Sequence, residues 1–177
     1  MATATDSTTI IAVGGGSTAG FVTGYALSHP AVRNNFPGWV GIRLAVGANP
    51  LTVTSLGRIC LSGNSGTHLI KLVNAATGAD APGGSVSLSM AGCTPGQFAY
   101  NALAANLTLA ANTSYYLASQ EFSGGDQWYD WGTLSSTNVA AVNGAAYSLD
   151  GATWIVASST ANAGYVPPNL TYLSGTQ

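Results

Sequence analysis

The sequence predicts an all-β protein, an antiparallel β-sandwich or jelly roll of about ten short strands. Three observations lead to this class. Short runs rich in β-branched residues recur between Gly, Pro and Asn turn signals at intervals of about 8 to 12 residues. No segment shows the periodicity of an amphipathic helix, which excludes an alternating βαβ arrangement. No internal repeat of fixed period occurs, which argues against a propeller or a solenoid.

The clearest strand signal lies at residues 85–90, where Val86, Leu88 and Met90 alternate with three serines. Side chains of a strand point alternately to its two faces, so these three apolar residues are expected to face the core. The run 51–62 is expected to bend at Gly57, where a missing side chain favours a bulge. The remaining predicted strands are 39–46, 68–73, 97–103, 107–109, 113–121, 138–142, 145–149, 154–156 and 165–173.

The chain is expected to form one domain, residues 21–177, preceded by an N-terminal extension or added strand at residues 1–20. At 177 residues it is too short for two ordinary domains without a clear linker. Residues 28–37 are predicted to be a loop, because Pro30 and Pro37 push the residues before them out of the helical region. The apolar run 8–13 is a candidate strand for the edge of a neighbour's sheet.

The charge content excludes two classes of partner. Charged residues make up 6% of the chain and the formal net charge is -2, against a usual charged fraction of about 25%. The four basic residues are too few for a nucleic-acid or anionic-membrane surface. No run approaches the roughly 18 to 20 apolar residues that membrane insertion requires. Little charge repulsion separates copies of such a chain, so self-association is expected to be possible.

Residues for catalysis or cofactor binding are scarce. Gly14, Gly16 and Ala19 superficially match a dinucleotide fingerprint, but no helix signal follows them and the next acid is Asp80. His29 and His68 lack the Gly-x-Ser-x-Gly elbow of a serine hydrolase, and His68 is expected to be a surface or cross-strand residue. Two cysteines and two histidines, far apart, do not suit zinc. We therefore expect no enzyme activity and no certain cofactor.

The stretch 115–131 concentrates the residue types that the rest of the chain lacks. It holds two of the four tryptophans, three of the eight tyrosines and three of the six acidic residues. A sugar ring stacks its apolar face on Trp or Tyr, while carboxylates and amides bind its hydroxyl groups. We expect a solvent-open rim that binds a sugar through Glu121, Asp126, Gln127, Trp128, Tyr129 and Trp131. Further candidates are Trp39, Tyr147 and Trp154.

Three other roles for this stretch stay open. In the first, Trp128 and Trp131 pack inward while Asp126 and Asp130 bond backbone amides in a long turn. In the second, Asp126 and Asp130 bind calcium, because hard cations take carboxylate oxygens from irregular loops. In the third, which is less favoured, Glu121 and a neighbouring acid form the carboxyl pair of a glycoside hydrolase.

Cys60 and Cys93 are the two cysteines of the chain. They either pair or remain free, in which case they behave as two small buried hydrophobic residues. Two cysteines in a chain of this length do not decide its redox compartment.

Several motifs together resemble one bacterial family. They are Leu-Gly-Arg at 56–58, Gly-Asn-Ser-Gly-Thr-His at 63–68, Lys-Leu-Val-Asn-Ala-Ala-Thr-Gly at 71–78, Ala-Asn-Thr-Ser-Tyr-Tyr at 111–116, and further pieces at 33–39 and 124–129. The chain resembles a β-sandwich family of unassigned function, similar to galactose-binding-like jelly rolls, whose members are appended to secreted and surface proteins. Some of those proteins carry glycan-degrading domains.

The resemblance implies a non-catalytic accessory module, extracellular or at the cell surface, whose partner is a glycan or a cell-surface polymer. It names no catalytic residues. Fold-level analogy alone does not identify a ligand. The alternative expectation is a self-assembling structural subunit of a surface layer or extracellular filament, which the low charge and the apolar run 8–13 favour.

Overall fold

The computed structural model describes residues 16–174, with the side chains of all of these except residues 28–30 and 166. Within this part of the chain every regular element is a β-strand and every strand pairing is antiparallel. No helix long and apolar enough to cross a membrane occurs there. The all-β sandwich prediction is confirmed, with thirteen strands in the described residues instead of about ten.

The strands form three sheets, of six, four and three strands. Their orders are β11-β10-β3-β8-β5-β6, β1-β13-β4-β7 and β12-β9-β2. The strands are β1 (Ser17–Gly20), β2 (Val22–Arg33), β3 (Gly38–Val46), β4 (Leu51–Ile59), β5 (Thr67–Asn74), β6 (Asp80–Ser89), β7 (Phe98–Leu109), β8 (Ser114–Glu121), β9 (Trp128–Ser136), β10 (Ala140–Ser148), β11 (Ile155–Ser158), β12 (Ala163–Val166) and β13 (Pro168–Ser174).

One apolar core joins the three sheets. It contains Ile42 and Leu117 from the six-stranded sheet, Leu56 and Leu170 from the four-stranded sheet, and Leu134 from the three-stranded sheet. Because each sheet buries one face against the others, the polar residues of each strand are left for the opposite face or for the strand ends.

The period-two prediction for β6 is confirmed. Val86, Leu88 and Met90 are buried, and the intervening serines are exposed. The bend expected at Gly57 is wrong, because the pairing of β4 with β7 changes register between Val53 and Ser55 instead. Gly57 has a different role: a Cβ atom there would lie 2.4 Å from the ring of Tyr100.

The predicted loop at residues 28–37 is wrong up to Arg33. β2 continues through Pro30 because it is an edge strand of the three-stranded sheet and its pairing with β9 changes register between His29 and Val32. Proline is tolerated at an edge or a bulge, where the ladder does not need its N–H group. Residues 128–131 likewise begin strand β9 and do not belong to a free loop.

The N-terminal side of the chain adds a strand to its own sheet. β1 pairs with β13, from Ser17 opposite Ser174 to Gly20 opposite Thr171. The apolar run 8–13 lies outside the described residues. Cys60 and Cys93 form a disulfide that links the end of β4 to the turn after β6, so the alternative of two free thiols is wrong.

Candidate functional site

An aromatic groove of about 260 Å³ lies beside the start of β9. Its walls come from three parts of the fold. Arg33 at the end of β2 is opposite Trp128 in the strand pairing, Val40 on β3 is opposite Tyr147 on β10, and Tyr165 lies on β12. We call this site the aromatic groove. Its lining residues are Arg33, Phe36, Val40, Trp128, Tyr147 and Tyr165.

Trp128 forms the inner wall of the aromatic groove. Its side chain is fully buried, and the ring of Tyr165 meets it edge-on with 5.5 Å between ring centroids. The guanidinium carbon of Arg33 lies 5.1 Å from the centroid of the indole, within the range of a cation–π contact. The indole N–H of Trp128 has no hydrogen-bond acceptor among the described residues. A buried donor without an acceptor is uncommon in a folded protein.

Arg33 is held in place but not fully satisfied. Its Nε donates to Oδ1 of Asn35 over 3.1 Å, and its Nη1 donates to Oδ1 of Asp130 over 2.7 Å. Both members of the pair with Asp130 keep 34% of their side-chain surface exposed. Within the described residues Nη2 makes no hydrogen bond. The guanidinium therefore has donors left for another molecule.

The outer walls of the aromatic groove are aromatic and partly exposed. Phe36 and Tyr147 meet edge-on with 5.9 Å between ring centroids. Burial raises the pKa of Tyr165 above its ordinary value, and the nearby negative charge of Asp130 raises it further. The Tyr165 hydroxyl is therefore protonated at neutral pH and able to donate. Trp131 packs edge-on against the same ring at 5.8 Å and extends the aromatic surface beyond the groove.

A second group of charged residues lies at the ends of β4, β5 and β8. We call Arg58, His68, Glu121 and Asp126 the charge cluster. Arg58 donates from Nε and Nη2 to the two carboxylate oxygens of Glu121, over 2.9 and 2.8 Å. Both side chains are at most 1% exposed. Ser119 adds a hydroxyl bond of 2.7 Å to the same carboxylate. This carboxylate is therefore saturated with donors and closed to solvent.

His68 lies between the two acidic members of the charge cluster, with Nδ1 3.4 Å from Oε2 of Glu121 and Nε2 facing Asp126. Its Nδ1 lies 2.7 Å from the carbonyl oxygen of Gln120, which can only accept, so Nδ1 carries a proton. Its Nε2 lies 3.1 Å from Oδ2 of Asp126. The histidine is 1% exposed, so of the two expected positions the surface one is wrong. Its contact with Gln120 on the paired strand β8 agrees with the cross-strand one.

Asp126 closes the turn at residues 63–66. Its two carboxylate oxygens accept from the backbone N–H groups of Ser65 and Gly66, over 3.0 and 2.9 Å. Burial alone would raise the pKa of this carboxyl, but the hydrogen bonds from Ser65, His68 and Gly66 outweigh it and leave the pKa below its ordinary value. Asn64 and Gln127 exchange two further hydrogen bonds across the same junction.

The expectation of a solvent-open rim is wrong for two of its members. Glu121 and Trp128 are buried, because one neutralises a buried arginine and the other packs against Arg33 and Tyr165. Trp128 and Asp126 agree with the alternative in which these residues stabilise the fold. The indole of Trp128 packs inward, and the carboxylate of Asp126 accepts hydrogen bonds from backbone amides. Of the remaining predicted residues, Gln127 is exposed, Trp131 is half-buried, and Tyr129 packs on Tyr25 at 5.7 Å.

The additional aromatic candidates divide in the same way. Tyr147 lines the aromatic groove. Trp39 is buried, with the Lys71 ammonium 4.3 Å from its ring centroid. Trp154 stacks on Tyr116 with 4.7 Å between centroids, in a small apolar cluster separate from the main core.

The two carboxylates proposed for calcium already have hydrogen-bond partners within the chain. Asp126 already accepts from two backbone N–H groups and faces the His68 ring, and Asp130 accepts from Arg33. Donor hydrogens and a guanidinium directed at a carboxylate repel a metal ion. Among residues 16–174 no group of three or more His, Cys, Asp or Glu side chains is arranged to hold one.

A wider cleft of about 650 Å³ lies at the other end of β3. Its lining within the described residues is mostly glycine, amide, hydroxyl and small apolar groups, without a charged side chain. Its one aromatic residue, Tyr172, is 6% exposed. The cleft therefore has less to hold a specific ligand than the smaller aromatic groove.

Sequence reasoning did not identify four residues of the aromatic groove: Arg33, Phe36, Val40 and Tyr165. They lie on β2, on β3 or just before it, and on β12, and only strand pairing brings them to Trp128. Arg33 and Phe36 lie in the segment 33–39, which the sequence analysis singled out, and this was the one available signal. Tyr165 lies where β12 and β9 change register between Gly164 and Val166, which the sequence does not show.

The fold and the site define a small disulfide-linked antiparallel β-sandwich with a half-open aromatic groove beside its three-stranded sheet. Comparison of the chain with protein-family models, with curated proteins and with solved structures found no match.

Proposed function

We propose that the protein is a non-catalytic carbohydrate-binding or surface-attachment module of a secreted bacterial protein. The observation that carries the proposal is the aromatic groove, in which partly exposed aromatic rings stand next to an arginine with unused donors. Rings offer a stacking surface to the apolar face of a pyranose, and the donors orient its oxygen atoms.

The size of the aromatic groove agrees with a small ligand. Its volume of about 260 Å³ lies just below the range of about 300–1,000 Å³ that is usual for ligand pockets. It therefore accommodates one sugar ring, such as the end or a branch of a glycan chain. The half-exposed Trp131 beside Tyr165 offers a second ring to the next sugar unit.

The arrangement of the carboxylates supports the non-catalytic part of the proposal. A glycoside hydrolase needs two carboxyl groups on either side of the scissile bond. Glu121 is sealed against Arg58, Asp126 holds backbone amides, and Asp130 pairs with Arg33. Each of the three acids that the sequence offered therefore has a partner within the chain.

Two properties support a place outside the cell. The disulfide between Cys60 and Cys93 is of a kind that persists in oxidising compartments. The surface is formed largely by hydroxyl, amide and small apolar groups, since charged residues make up only 6% of the chain.

A glycan array tests the proposal with a matched pair of variants. Tyr147→Ala removes a partly exposed ring from the aromatic groove, while Phe122→Ala removes a ring of 47% exposure elsewhere. We expect wild type and Phe122→Ala to bind the same glycans and Tyr147→Ala to lose at least about tenfold in affinity, the effect of one stacking ring. A wild-type protein that binds nothing on a broad array contradicts the proposal.

The second candidate function is a self-assembling structural subunit. The specific observation is β7, an edge strand of twelve residues without a charged side chain or a proline. Long uncharged edges can pair with another chain. In β7 the Asn101 side chain donates to the Ser87 carbonyl oxygen of β6, which covers part of that edge. Light scattering over a range of concentrations separates the candidates, because a binding module stays monomeric and an assembling subunit does not.

A further inference from the structure

We propose that the ligand of the aromatic groove is an acidic sugar, a uronic acid whose carboxylate binds the free donors of Arg33 beside the indole ring of Trp128. The inference rests on the proposed carbohydrate-binding function and names the chemical class of the sugar. Three observations lead to it: the donors that have no partner, the shortage of acceptors in the lining, and the way in which Arg33 is held.

The first observation concerns unpartnered donors. The Trp128 side chain is fully buried, lines the groove, and has an N–H without an acceptor among the described residues. Within the same residues Arg33 Nη2 is also without one. The guanidinium carbon lies 5.1 Å from the centroid of the indole ring. The indole N–H is closed to solvent, whereas the Arg33 side chain keeps 34% of its surface exposed, so the free guanidinium donor is the one that a ligand can reach.

The second observation concerns acceptors. The side chains that line the aromatic groove are one arginine, one valine and four aromatic residues. Among them the two tyrosine hydroxyls are the polar groups able to accept a hydrogen bond. The hydroxymethyl group of a neutral hexose brings a donor for which this lining offers few acceptors, whereas a uronic acid has a carboxylate in the same position. A carboxylate only accepts, and its two oxygens match this lining.

The third observation concerns the orientation of Arg33. Asn35 holds Nε and Asp130 holds Nη1, so two edges of the planar guanidinium are fixed. A guanidinium that is already fixed binds a carboxylate with less loss of side-chain entropy than a mobile guanidinium does. Because Asp130 already balances the charge of Arg33, the carboxylate would be recognised by directed hydrogen bonds more than by net charge.

Matched pairs of glycans test the inference directly. Each pair contains a uronic-acid-terminated oligosaccharide and its methyl ester, in the gluco, galacto and manno series, with affinities measured by calorimetry. Esterification removes the charge and keeps the ring. We expect the acid of at least one pair to bind about tenfold or more tightly than its ester, since bonds to an ionised acceptor are roughly twice as strong as neutral ones.

Two variants locate the preference. Arg33→Gln is expected to bring the ratio of acid to ester affinity close to one, and Arg33→Lys, which keeps the positive charge but loses the planar guanidinium, is expected to reduce it. The control variant Phe122→Ala should keep the wild-type ratio of acid to ester affinity. If a variant is unstable, the indole N–H signal of Trp128 in the wild-type NMR spectrum provides the second measurement, because the acid should shift that signal more than the ester does.

The outcomes separate the two proposals. If esters bind as tightly as acids in every pair, the acidic-sugar inference is wrong and carbohydrate binding stands. If Arg33→Gln keeps the preference, or the Trp128 signal does not respond to the acid, the inference is also wrong, because the carboxylate then binds elsewhere. If neither member of any pair binds and neutral glycans fail as well, carbohydrate binding itself fails. Binding of peptides with a free carboxylate, but of no sugar, overturns both.

Discussion

Two arginine–carboxylate pairs occur in this molecule, and they lie in opposite surroundings. Arg58 and Glu121 are sealed in the charge cluster, with at most 1% of either side chain exposed. Arg33 and Asp130 stand beside the aromatic groove, each with 34% of its side chain exposed. Their acids, Glu121 and Asp130, are nine positions apart in the stretch that the sequence singles out. The same residue chemistry is therefore enclosed in the fold in one place and leaves accessible donors in the other.

What separates the two pairs is the number of partners that each group has. Glu121 receives donors from Arg58 and Ser119, so it has no capacity for a ligand. Arg33 retains donors that no described residue accepts. An ion pair thus marks a candidate binding site only when its hydrogen-bonding capacity is incomplete and solvent can reach it.

The largest effect is expected from Glu121→Gln. The change leaves the buried guanidinium of Arg58 without its negative partner, and breaking a buried pair in this way typically costs about 3–5 kcal/mol. Urea unfolding measures the loss. Asp130→Asn is the matched control in the exposed pair, for which the expected loss is about 1 kcal/mol or less. Equal losses in the two variants would remove the distinction between the pairs.

The prediction from sequence succeeds where the signal is local and fails where it is not. Val86, Leu88 and Met90 reveal their strand through alternation with serines, and β6 has the expected inward face. Arg58 and Glu121 are 63 positions apart, and Arg33 and Asp130 are 97 apart. Which acid meets which arginine depends on the pairing of strands. The stretch 115–131 contributes to both sites, with Trp128 in the aromatic groove and Glu121 in the charge cluster. The division of its residues between core and surface depends on strand pairing, which the sequence does not show.

Removal of the disulfide is expected to have the next largest effect on stability. It closes a loop of 33 residues, for which the chain-entropy relation predicts a loss of about 3–4 kcal/mol when Cys60 and Cys93 are both replaced by alanine. Cys60 lies two positions after Arg58 of the charge cluster, so the loss should appear as a lower free energy of urea unfolding. The affinity of the aromatic groove should change less than threefold. A large loss of affinity in a variant that is still folded would contradict this separation.

Lowering the pH is expected to have a smaller effect on the free energy of unfolding. The pKa of Asp126 is below its ordinary value in the folded state, so its contribution to stability is complete above the unfolded pKa of about 3.9 and is lost as the pH falls through the folded pKa. Asp126→Asn should therefore be less stable at neutral pH and should lose less stability than wild type below about pH 4.

Hydrogen exchange provides the local readout for the same change. The N–H groups of Ser65 and Gly66 donate to different oxygens of Asp126, and asparagine keeps only one acceptor oxygen, so at least one of the two should exchange faster in Asp126→Asn. Asp150→Asn is the control, because bonds from the backbone of Thr153 and Ala152 also lower the pKa of Asp150, at a separate turn. It should leave the exchange of Ser65 and Gly66 unchanged. Unchanged exchange in Asp126→Asn would show that its carboxylate does not hold the turn.

The central claim is that the aromatic groove binds ligand while the charge cluster maintains the fold, and a paired measurement tests it most directly. Affinity for the glycan selected on the array and the free energy of urea unfolding are measured for Tyr147→Ala and Glu121→Gln. We predict that Tyr147→Ala loses at least about tenfold in affinity with little change in stability, and that Glu121→Gln loses about 3–5 kcal/mol of stability with its affinity within about threefold of wild type. The reverse result, with affinity lost in Glu121→Gln while it is still folded and retained in Tyr147→Ala, would contradict the account.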